Sequence, residues 1–409
     1  MRVDARSEGR KKVTGDDPRP GLGLRRVINA AGTMTALGAS AAVPEAVAAA
    51  ARILPWFVEI DDLQRAASEA IAIATGAEAG MVTASASAGI SLAVAAAMTG
   101  ADPARVEQLP ETAGMVNGVV IQQGHRIDYG APLDTAVRIT GARIVSVGQA
   151  TSAFRYQLQH ALAEPTAAVV YVVSHHVAPY GQMPLAEVVE VCRAADVPLI
   201  VDAASEYDLA GFLAAGADLV VYSAHKFLGG LTAGIVAGRK DLVRAAYAQN
   251  RGLGRGMKVG KEAIAATIAA LEAWSRRDHR AHQEREDAAV RLWAGRLEQV
   301  AGVTAEAVVD PTGNPITRLR VRLGPESGTS AWDLSDALAS GPRPVVVRDD
   351  EVDLGYFELD PCNLRPGEAE EVADRIAAEL LFARQRGTGA TPLSEWRRQR
   401  EAVRLRWPD

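Results

Sequence analysis

The sequence predicts an α/β protein, and two observations carry this prediction. Three short apolar runs, at 167–174, 197–205 and 218–224, are nearly continuous in aliphatic residues, which is typical of parallel strands buried on both faces. Between the first two runs, residues 184–196 place apolar side chains at helical spacing, so these segments form a β-α-β unit. The core is therefore expected to be α/β.

The remaining elements follow from the same periodicities. Ala-rich helical segments at 43–54 and 63–76 precede the strands, a short strand is expected at 233–239, and a long helical stretch runs from about 262 to 300. Beyond this stretch the pattern changes. The elements predicted there are a strand at 317–323, a helix at 331–340, strands between 345 and 359, and a last helix from Glu368.

This change of pattern predicts a domain boundary. We expect a large ligand-binding domain at 25–270 and a small C-terminal domain at 271–385, and the segment 25–60 is a candidate to pack with the small domain. The charged start, residues 1–24, is expected to be a disordered arm, and residues 386–409 are set apart as a tail.

Composition excludes several classes of protein. The net charge is −6, so no overall basic field is available to hold nucleic acid. The apolar stretches are shorter than the roughly 20 residues of a membrane span, and the charged start lacks the apolar region of a signal peptide. The two cysteines, Cys192 and Cys362, have no CxxC spacing, so neither a disulfide framework nor a metal site is expected. A reducing cytosol fits these observations.

A lysine follows the third apolar run, in "DLVVYSAHKFLGG". Lys226 lies just beyond that predicted strand and Asp202 ends the preceding one, so both should face the crevice at the carboxyl ends of the strands. A desolvated lysine has a lowered pKa and forms a Schiff base with a carbonyl. A carboxylate nearby suits pyridoxal phosphate (PLP), whose ring nitrogen must stay protonated. The pair predicts a PLP site.

The same cofactor needs a cradle for its phosphate. In "TASASAGISLAVAAA", Ser85, Ala86 and Ser87 permit close backbone approach, and the helix that follows directs free N–H groups at an anion. Ser223 is placed to add a hydroxyl, and His125, in "QQGHRIDYG", is the candidate to stack on the pyridine ring.

Each of these residues could instead have a purely structural role. Lys226 could be a surface lysine, Asp202 a turn residue at a strand end, the Ser-rich segment an ordinary helix cap, and His125 a partner in a buried hydrogen bond. "SAHK" also matches the S-x-x-K serine nucleophile, but it ends a strand and no K-T-G follows. His175 and His176 are adjacent, so on a strand they would point to opposite faces and hold no metal together.

Arginines are the candidates for binding a substrate carboxylate. Arg348 follows an apolar run in the second domain, although Asp349 and Asp350 beside it could make it a surface ion pair; Arg126 and Arg255 are next in line. Arg255 lies in the Gly-rich basic loop 250–262, which is either a solvated turn or a segment that reaches a neighbouring subunit's cofactor. We expect a homodimer or larger closed oligomer.

Several motifs resemble one known group of enzymes. They are "INAAGTMTALGAS", "SASAGISLAVAAAMTG", "QQGHR", "VDAASE", "SAHKFLGG", "GRGMKVGKEAIAATIAALEAW" and "LDPCNLRPGE". In order and spacing the chain resembles the selenocysteine synthase (L-seryl-tRNA selenium transferase)-like branch of fold-type I PLP enzymes, and within it the D-glucosaminate-6-phosphate ammonia-lyase-like subgroup. "SAHKFLGG" departs from the usual small residues before the lysine by carrying His225.

The resemblance implies a fold and an activity. The fold would be aspartate aminotransferase-like, with a large mixed, mostly parallel sheet and a small α/β C-terminal domain. Lys226 would be the Schiff-base lysine and Asp202 the partner of the pyridinium. The expected reaction is elimination of the β substituent from a 2-amino-3-hydroxy acid or amino sugar acid, releasing ammonia and a 2-keto acid. The alternatives are a racemase or epimerase, a β-replacement transferase, or a non-catalytic binder of a phosphorylated ligand.

Overall fold

The computed structural model describes residues 17–387 and 390–407. These residues form two compact units, each built from separate pieces of the chain. The smaller unit takes the N-terminal segment up to Leu37, the segment His279–Val309 and the chain from Ile316 onward, and the larger unit takes Gly38–Asp278 and Asp310–Pro315. Most of the expected arm, residues 1–16, lies outside the described residues.

The strands and helices follow the predicted order closely. The strands are β1 (Ile28–Ala30), β2 (Ala79–Thr83), β3 (Gly118–Gln122), β4 (Arg143–Val147), β5 (Ala168–Val172), β6 (Leu199–Asp202), β7 (Leu219–Ser223), β8 (Gly234–Gly238), β9 (Val303–Val309), β10 (Thr317–Leu323), β11 (Val345–Val347) and β12 (Tyr356–Leu359). The helices are α1 (Pro44–Ile53), α2 (Ile60–Thr75), α3 (Ala86–Thr99), α4 (Pro103–Gln108), α5 (Leu133–Arg138), α6 (Arg155–Leu162), α7 (Leu185–Ala195), α8 (Gly211–Ala215), α9 (Lys240–Ala248), α10 (Lys261–Arg276), α11 (His279–Leu297), α12 (Ala331–Ala339), α13 (Glu368–Arg386) and α14 (Leu393–Arg404).

The larger unit is built on one seven-stranded sheet with the order β2-β8-β7-β6-β5-β3-β4. The pairs from β7 to β4 are parallel, whereas β8 runs antiparallel to both β7 and β2. The prediction of a mixed, mostly parallel sheet is therefore confirmed. Because Ser223 pairs with Gly234, the chain leaves β7, makes a short loop and returns at once. That loop carries Lys226 at the carboxyl edge of the parallel strands.

Helix α3 is buried on almost every side against this sheet. Small residues allow the close approach: a Cβ atom added to Gly89 would lie 2.9 Å from Cγ1 of Val221, on β7. A Cβ on Gly234 would lie 2.3 Å from the carbonyl oxygen of Ser85, so the start of α3 sits directly on the start of β8. The contact fixes the N-terminus of α3 at the edge where β7 ends.

The smaller unit holds two small sheets around its own core. β9, β10 and β12 form an antiparallel sheet with β10 in the centre, and β1 pairs in parallel with β11. Within the segment set apart as a tail, the structure has α14, and its Trp396 packs into the core that contains Trp293 and Phe357. In the described part of the chain, no helix is long and apolar enough to cross a membrane.

Candidate active site

Three of the residues predicted for the site lie at one edge of the large sheet. Asp202 is the last residue of β6, Lys226 comes three residues after β7, and His125 comes three residues after β3. These strands are neighbours in the order β3-β5-β6-β7 and are parallel, so their carboxyl ends share an edge. The structure therefore brings the three side chains to the place where open α/β sheets bind ligands.

Lys226 is held by hydrogen bonds at both its side chain and its backbone. Its Nζ donates to Oγ of Ser205, three residues beyond Asp202. The hydroxyl of Ser40 lies 2.7 Å from the carbonyl oxygen of His225 and 2.6 Å from that of Lys226, and the N–H of Gly229 donates to the latter at 3.0 Å. The lysine is half-buried, and its loop is fixed before any ligand arrives.

Asp202 is a buried carboxylate in an unfavourable electrostatic position. Its Oδ1 accepts from the N–H of Ala204 at 3.2 Å. Burial raises the pKa of Asp202 to about 6, and the ammonium of Lys226 partly offsets this rise. At neutral pH the group is ionised although it has lost most of its hydration, so a protonated ring nitrogen beside it would replace the missing solvent. This residue fits the nitrogen of PLP.

His125 is a neutral, fixed ring. It is buried, its Nδ1 accepts from the N–H of Val172 at 3.0 Å, and burial lowers its pKa to about 4. The ring of Tyr171 meets it edge-on, with centroids 4.5 Å apart. Because Val172 pairs with Asp202 across β5 and β6, the imidazole lies one strand away from the carboxylate. The buried hydrogen bond that was the structural alternative for His125 is present, and it holds the imidazole in a single orientation.

The start of α3 has the features of an anion cradle. Ser85 caps the helix, with Oγ accepting from the N–H of Ala88 at 3.0 Å, and the N–H groups of Ala86 and Ser87 have no acceptor within the helix. Tyr129 donates its hydroxyl to Oγ of Ser87 at 3.1 Å. The Ser-rich segment is therefore a helix cap, as its structural alternative expected. The cap still leaves the first-turn N–H groups available for a phosphate.

Ser223, the additional hydroxyl of the predicted cradle, is buried at the end of β7 and lies 3.1 Å from Nδ1 of His225. The unusual histidine before the lysine therefore has a local partner. Burial lowers the pKa of His225, and the ammonium of Lys226 lowers it further. The pair adds no charge next to the lysine at neutral pH.

The three candidate arginines have different surroundings. Arg126 is already paired with Asp134 in a two-pronged contact, with Nε 3.1 Å from Oδ1. Arg255 is exposed. Arg348 follows β11 in the smaller unit and is buried, with its Nε 3.4 Å from Asp350 and 4.0 Å from Glu358. Arg348 is buried whereas Asp350 beside it is exposed, so this ion pair reaches the surface on its acidic side.

His175 and His176 lie outside the strands. β5 ends at Val172, so the two histidines lie in a turn and not on a strand. Their ring centroids are 3.7 Å apart, with the planes tilted by 46°. The argument that adjacent side chains must point to opposite faces therefore does not apply to them, because it holds only for extended chain.

Sequence reasoning missed three residues around the lysine. Ser205 accepts the hydrogen bond from Lys226, and Glu206 is buried beside it. Asn314 binds the backbone on both sides of Glu206, donating to the carbonyl oxygen of Ser205 at 3.1 Å and accepting from the N–H of Tyr207 at 2.8 Å. Ser205 and Glu206 lie in the motif "VDAASE", so their position just after Asp202 could have indicated that they belong to the site. No sequence motif indicates Asn314.

A lysine and a buried aspartate at the carboxyl ends of adjacent strands, beside a helix N-terminus that can hold a phosphate, define a fold-type I PLP-dependent enzyme. The family model of SelA, L-seryl-tRNA selenium transferase, matches residues 27–304. The chain belongs to this family.

Two curated relatives cover most of the chain. One is the D-glucosaminate-6-phosphate ammonia lyase of Salmonella typhimurium strain 14028s, with 42% identity over 87% of this chain and 95% of the relative. The other is the 5'-C-glycyluridine monooxygenase-decarboxylase of a Streptomyces species, with 37% identity over 88% of this chain and 91% of the relative. The two names describe different reactions.

Solved structures agree with the fold. A structure of D-glucosaminate-6-phosphate ammonia-lyase has a TM-score of 0.81 and 40% identity, over 90% of this chain and 99% of that one. A structure of SPT with PLP has a TM-score of 0.58 at 16% identity, over 88% of each chain, and shares the fold alone. The expected fold class and cofactor are confirmed.

The substitution Asp202→Asn separates the stability of the fold from function. The pKa of this acid is raised on folding, so its ionisation destabilises the native state as the pH rises through about 6. The neutral amide should therefore make the apoenzyme more stable relative to wild type at pH 7.5 than at pH 4.5, by about 2 kcal/mol. Thermal denaturation at both pH values checks this, and a difference that does not change with pH would contradict it. Turnover should fall to a small fraction, since an amide does not hold the proton of the ring nitrogen.

Proposed function

We propose that this chain is a PLP-dependent lyase that acts on a phosphorylated amino sugar acid or a related 2-amino-3-hydroxy acid. It removes the Cα proton and the β-hydroxyl group and releases ammonia and a 2-keto acid. The observation that carries the proposal is the amine of Lys226 held by Ser205 at the edge where Asp202 is buried. The choice of substrate class rests on the 42% identity to the ammonia lyase.

The residues of this chain divide the chemistry between them. When bound, PLP supplies the electron sink that stabilises negative charge at Cα. Lys226 would hold PLP through Nζ, and the same amine, once free, would take the Cα proton. The hydroxyl of Ser205 orients that nitrogen, and Asp202 would keep the ring nitrogen protonated. His125 would hold the ring by stacking.

Bonds and protons balance in the elimination. The Cα–H electron pair becomes the Cα=Cβ double bond, and the β-hydroxyl leaves Cβ as water with the proton that Nζ of Lys226 took from Cα. Hydrolysis of the resulting enamine, after its N–H proton has moved to Cβ, consumes one water and releases ammonia, so the amino acid is converted into ammonia and a 2-keto acid that lacks the hydroxyl. The amine of Lys226 ends the elimination in its neutral form.

The cofactor phosphate is assigned to the start of α3. The N–H groups of Ala86 and Ser87 and the positive end of the helix dipole favour a dianion there, with Ser85 shaping the turn. Ser223 lies at the neighbouring strand end. When Nδ1 of His225 carries the ring proton and donates it to Ser223, the hydroxyl proton of Ser223 stays available for the phosphate. The turn that binds the phosphate also requires glycine at position 234, because a Cβ added there would lie 2.3 Å from the carbonyl oxygen of Ser85.

The test of the function is product analysis. Wild-type protein incubated with D-glucosaminate 6-phosphate and with a panel of L- and D-3-hydroxy amino acids should yield ammonia and the matching 2-keto acid by mass spectrometry. Lys226→Ala should give neither product and should lose the covalent link to PLP that borohydride traps, because only a Schiff base is reduced in this way.

Each other outcome points to a different function. Recovery of substrate with inverted Cα would indicate a racemase or epimerase, and retention of the amino group with a new β substituent would indicate a β-replacement transferase. Oxygen-dependent loss of the carboxyl group would place the chain with its 37% identical relative. Covalent trapping in the alanine variant would remove Lys226 from the mechanism, and binding with no product would favour a non-catalytic protein.

We propose Arg348 as the residue that binds the substrate carboxylate. Its distances to Asp350 and Glu358, 3.4 and 4.0 Å, are longer than charge-assisted hydrogen bonds, so its guanidinium is not locked into a two-pronged pair. Arg126, by contrast, has such a pair with Asp134, and Arg255 is exposed; they are second choices.

The substitution Arg348→Lys keeps the charge and loses the planar fork. It should raise KM and slow deuterium exchange at Cα about tenfold each, while the absorbance of the resting PLP enzyme stays the same. Steady-state kinetics and exchange followed by NMR measure these effects. Unchanged values for both would assign the carboxylate to Arg126 or Arg255, which the same substitution tests next.

We propose that the chain forms a homodimer or larger closed oligomer in the cytoplasm. Trp56 and Phe57, between α1 and α2, are exposed although apolar, and Lys261 from the basic loop 250–262 donates to the carbonyl of Trp56 and approaches the ring of Phe57. Exposed aromatic residues beside a charged loop are typical of an interface. Both cysteines are free thiols, which suits the cytoplasm.

Light scattering tests the assembly. Wild type should have at least twice the mass of one chain, and the double variant Trp56→Ser with Phe57→Ser should shift toward monomer at the same protein concentration. Ile73→Ser, at an exposed apolar residue of α2, is the matched control and should not shift. A wild-type monomer that keeps full activity on dilution contradicts the proposal.

A further inference from the structure

The short segment Asp310–Pro315, with the sequence "DPTGNP", binds the backbone next to the lysine's partner. The amide of Asn314 donates to the carbonyl of Ser205 and accepts from the N–H of Tyr207, as a neighbouring peptide in a β ladder would do. Ser205 is the residue whose hydroxyl receives the hydrogen bond of Lys226. Its backbone is therefore fixed from a part of the chain about a hundred residues away.

The hydroxyl of Thr312 lies between two carboxyl groups. Its Oγ1 is 2.6 Å from Oδ1 of Asp310 and 3.0 Å from both carboxyl oxygens of Glu206. The amide nitrogen of Asn314 is also 3.0 Å away. A hydroxyl has one proton to donate and two lone pairs to accept with. The protons at this position can therefore be counted.

Oδ1 of Asp310 also accepts from the N–H of Thr312 at 3.0 Å, so Asp310 is the ionised acceptor of the two carboxyl groups. With Asp310 ionised, one protonation pattern satisfies these contacts. The shortest contact takes the hydroxyl proton to Asp310, and one of the two amide protons of Asn314 occupies a lone pair of Oγ1 while the other goes to Ser205. The remaining lone pair faces Glu206 at hydrogen-bond distance, so a deprotonated Glu206 would set oxygen lone pairs against each other. As a carboxylic acid, Glu206 donates to Thr312 and completes the network.

We propose that Glu206 in its acid form and Asn314 act together as positioning residues that hold Ser205 against Lys226, so that ionisation of Glu206 loosens the lysine. This inference rests on the proposed role of Lys226. Glu206 touches neither the lysine nor a reacting atom in the described structure, and its action passes through Thr312, Asn314 and the backbone of Ser205.

The net electrostatics favour the acid form at neutral pH. The pKa of Glu206 is raised to about 8 because burial, together with the carboxylate of Asp310, outweighs the hydrogen bonds of Thr312 and Asn314 and the ammonium of Lys226, which favour the ionised form. Tyr222 is the other titratable group that senses Glu206, and burial keeps the pKa of Tyr222 well above its usual range, so it stays neutral. The network should fail above pH 8.

The first measurement uses the apoenzyme and needs no catalysis. Because the folded state keeps its proton on Glu206 up to a higher pH than the unfolded state does, stability is lost between about pH 4.5 and 8. The variant Glu206→Gln keeps a donor but cannot ionise, so its Tm should rise relative to wild type over this range and then level off. Glu107→Gln, at an exposed glutamate of α4, should show no such trend.

The second measurement reads the lysine through cofactor affinity. The Kd for PLP, from absorbance titration of the apoenzyme, should rise about tenfold between pH 7 and 9 in wild type and in Glu107→Gln, and should stay constant in Glu206→Gln. Thr312→Val should bind weakly at both pH values, and Thr312→Ser should restore the wild-type values because it returns the hydroxyl.

Two results would overturn the inference. One is a PLP affinity that depends on pH in the same way in Glu206→Gln and wild type, and the other is equal affinity in the Thr312→Val and Thr312→Ser variants. Failure of the proposed function has a different signature: Lys226→Ala would still be trapped by borohydride, while the Tm series of the apoenzyme would continue to report the proton on Glu206.

Discussion

The desolvation of two opposite charges at one sheet edge is the constraint on which the rest of the larger unit depends. Asp202 is buried at the end of β6, and the half-buried Lys226 follows the end of β7. The carboxylate accepts from the N–H of Ala204, and the ammonium donates to the hydroxyl of Ser205. Neutral groups thus orient both charges at this edge. A positively charged ring is the ligand that relieves the carboxylate.

The sequence predicts the parts of this arrangement that depend on local patterns, and it does not predict the parts that depend on contacts between residues far apart in the chain. β5, β6 and β7 are evident because burial on both faces removes polar residues from a strand, and position at a strand end then locates Asp202 and Lys226. The argument from strand geometry does not reach His175 and His176, because the end of β5 at Val172 is set by pairing and not by composition. Asn314 reaches Ser205 across 109 residues, and no local pattern encodes such a contact. The burial of Arg348 was hidden for the same reason, since its neighbours in sequence are acidic.

The relatives indicate where diversity in this family resides. Two proteins about equally similar to this chain carry names of different reactions, an ammonia lyase and a monooxygenase-decarboxylase. Shared steps around the cofactor therefore do not determine the product. What happens after Cα loses a group depends on which proton donors and which water or oxygen molecules reach the substrate, so the contacts of Ser205 and Glu206 beside the lysine matter as much as the lysine itself.

The sheet order has a consequence for how the protein is made. β2 occupies one edge, yet its partner is β8, so Ala79–Thr83 cannot pair until Gly234–Gly238 has left the ribosome. Helix α3 follows β2 directly and is buried on almost every side in the folded protein. Its apolar surface therefore also stays uncovered until β8 has been made. A nascent chain of this enzyme therefore exposes a hydrophobic helix and an open strand through more than a third of its synthesis, which makes early intermediates candidates for chaperone binding.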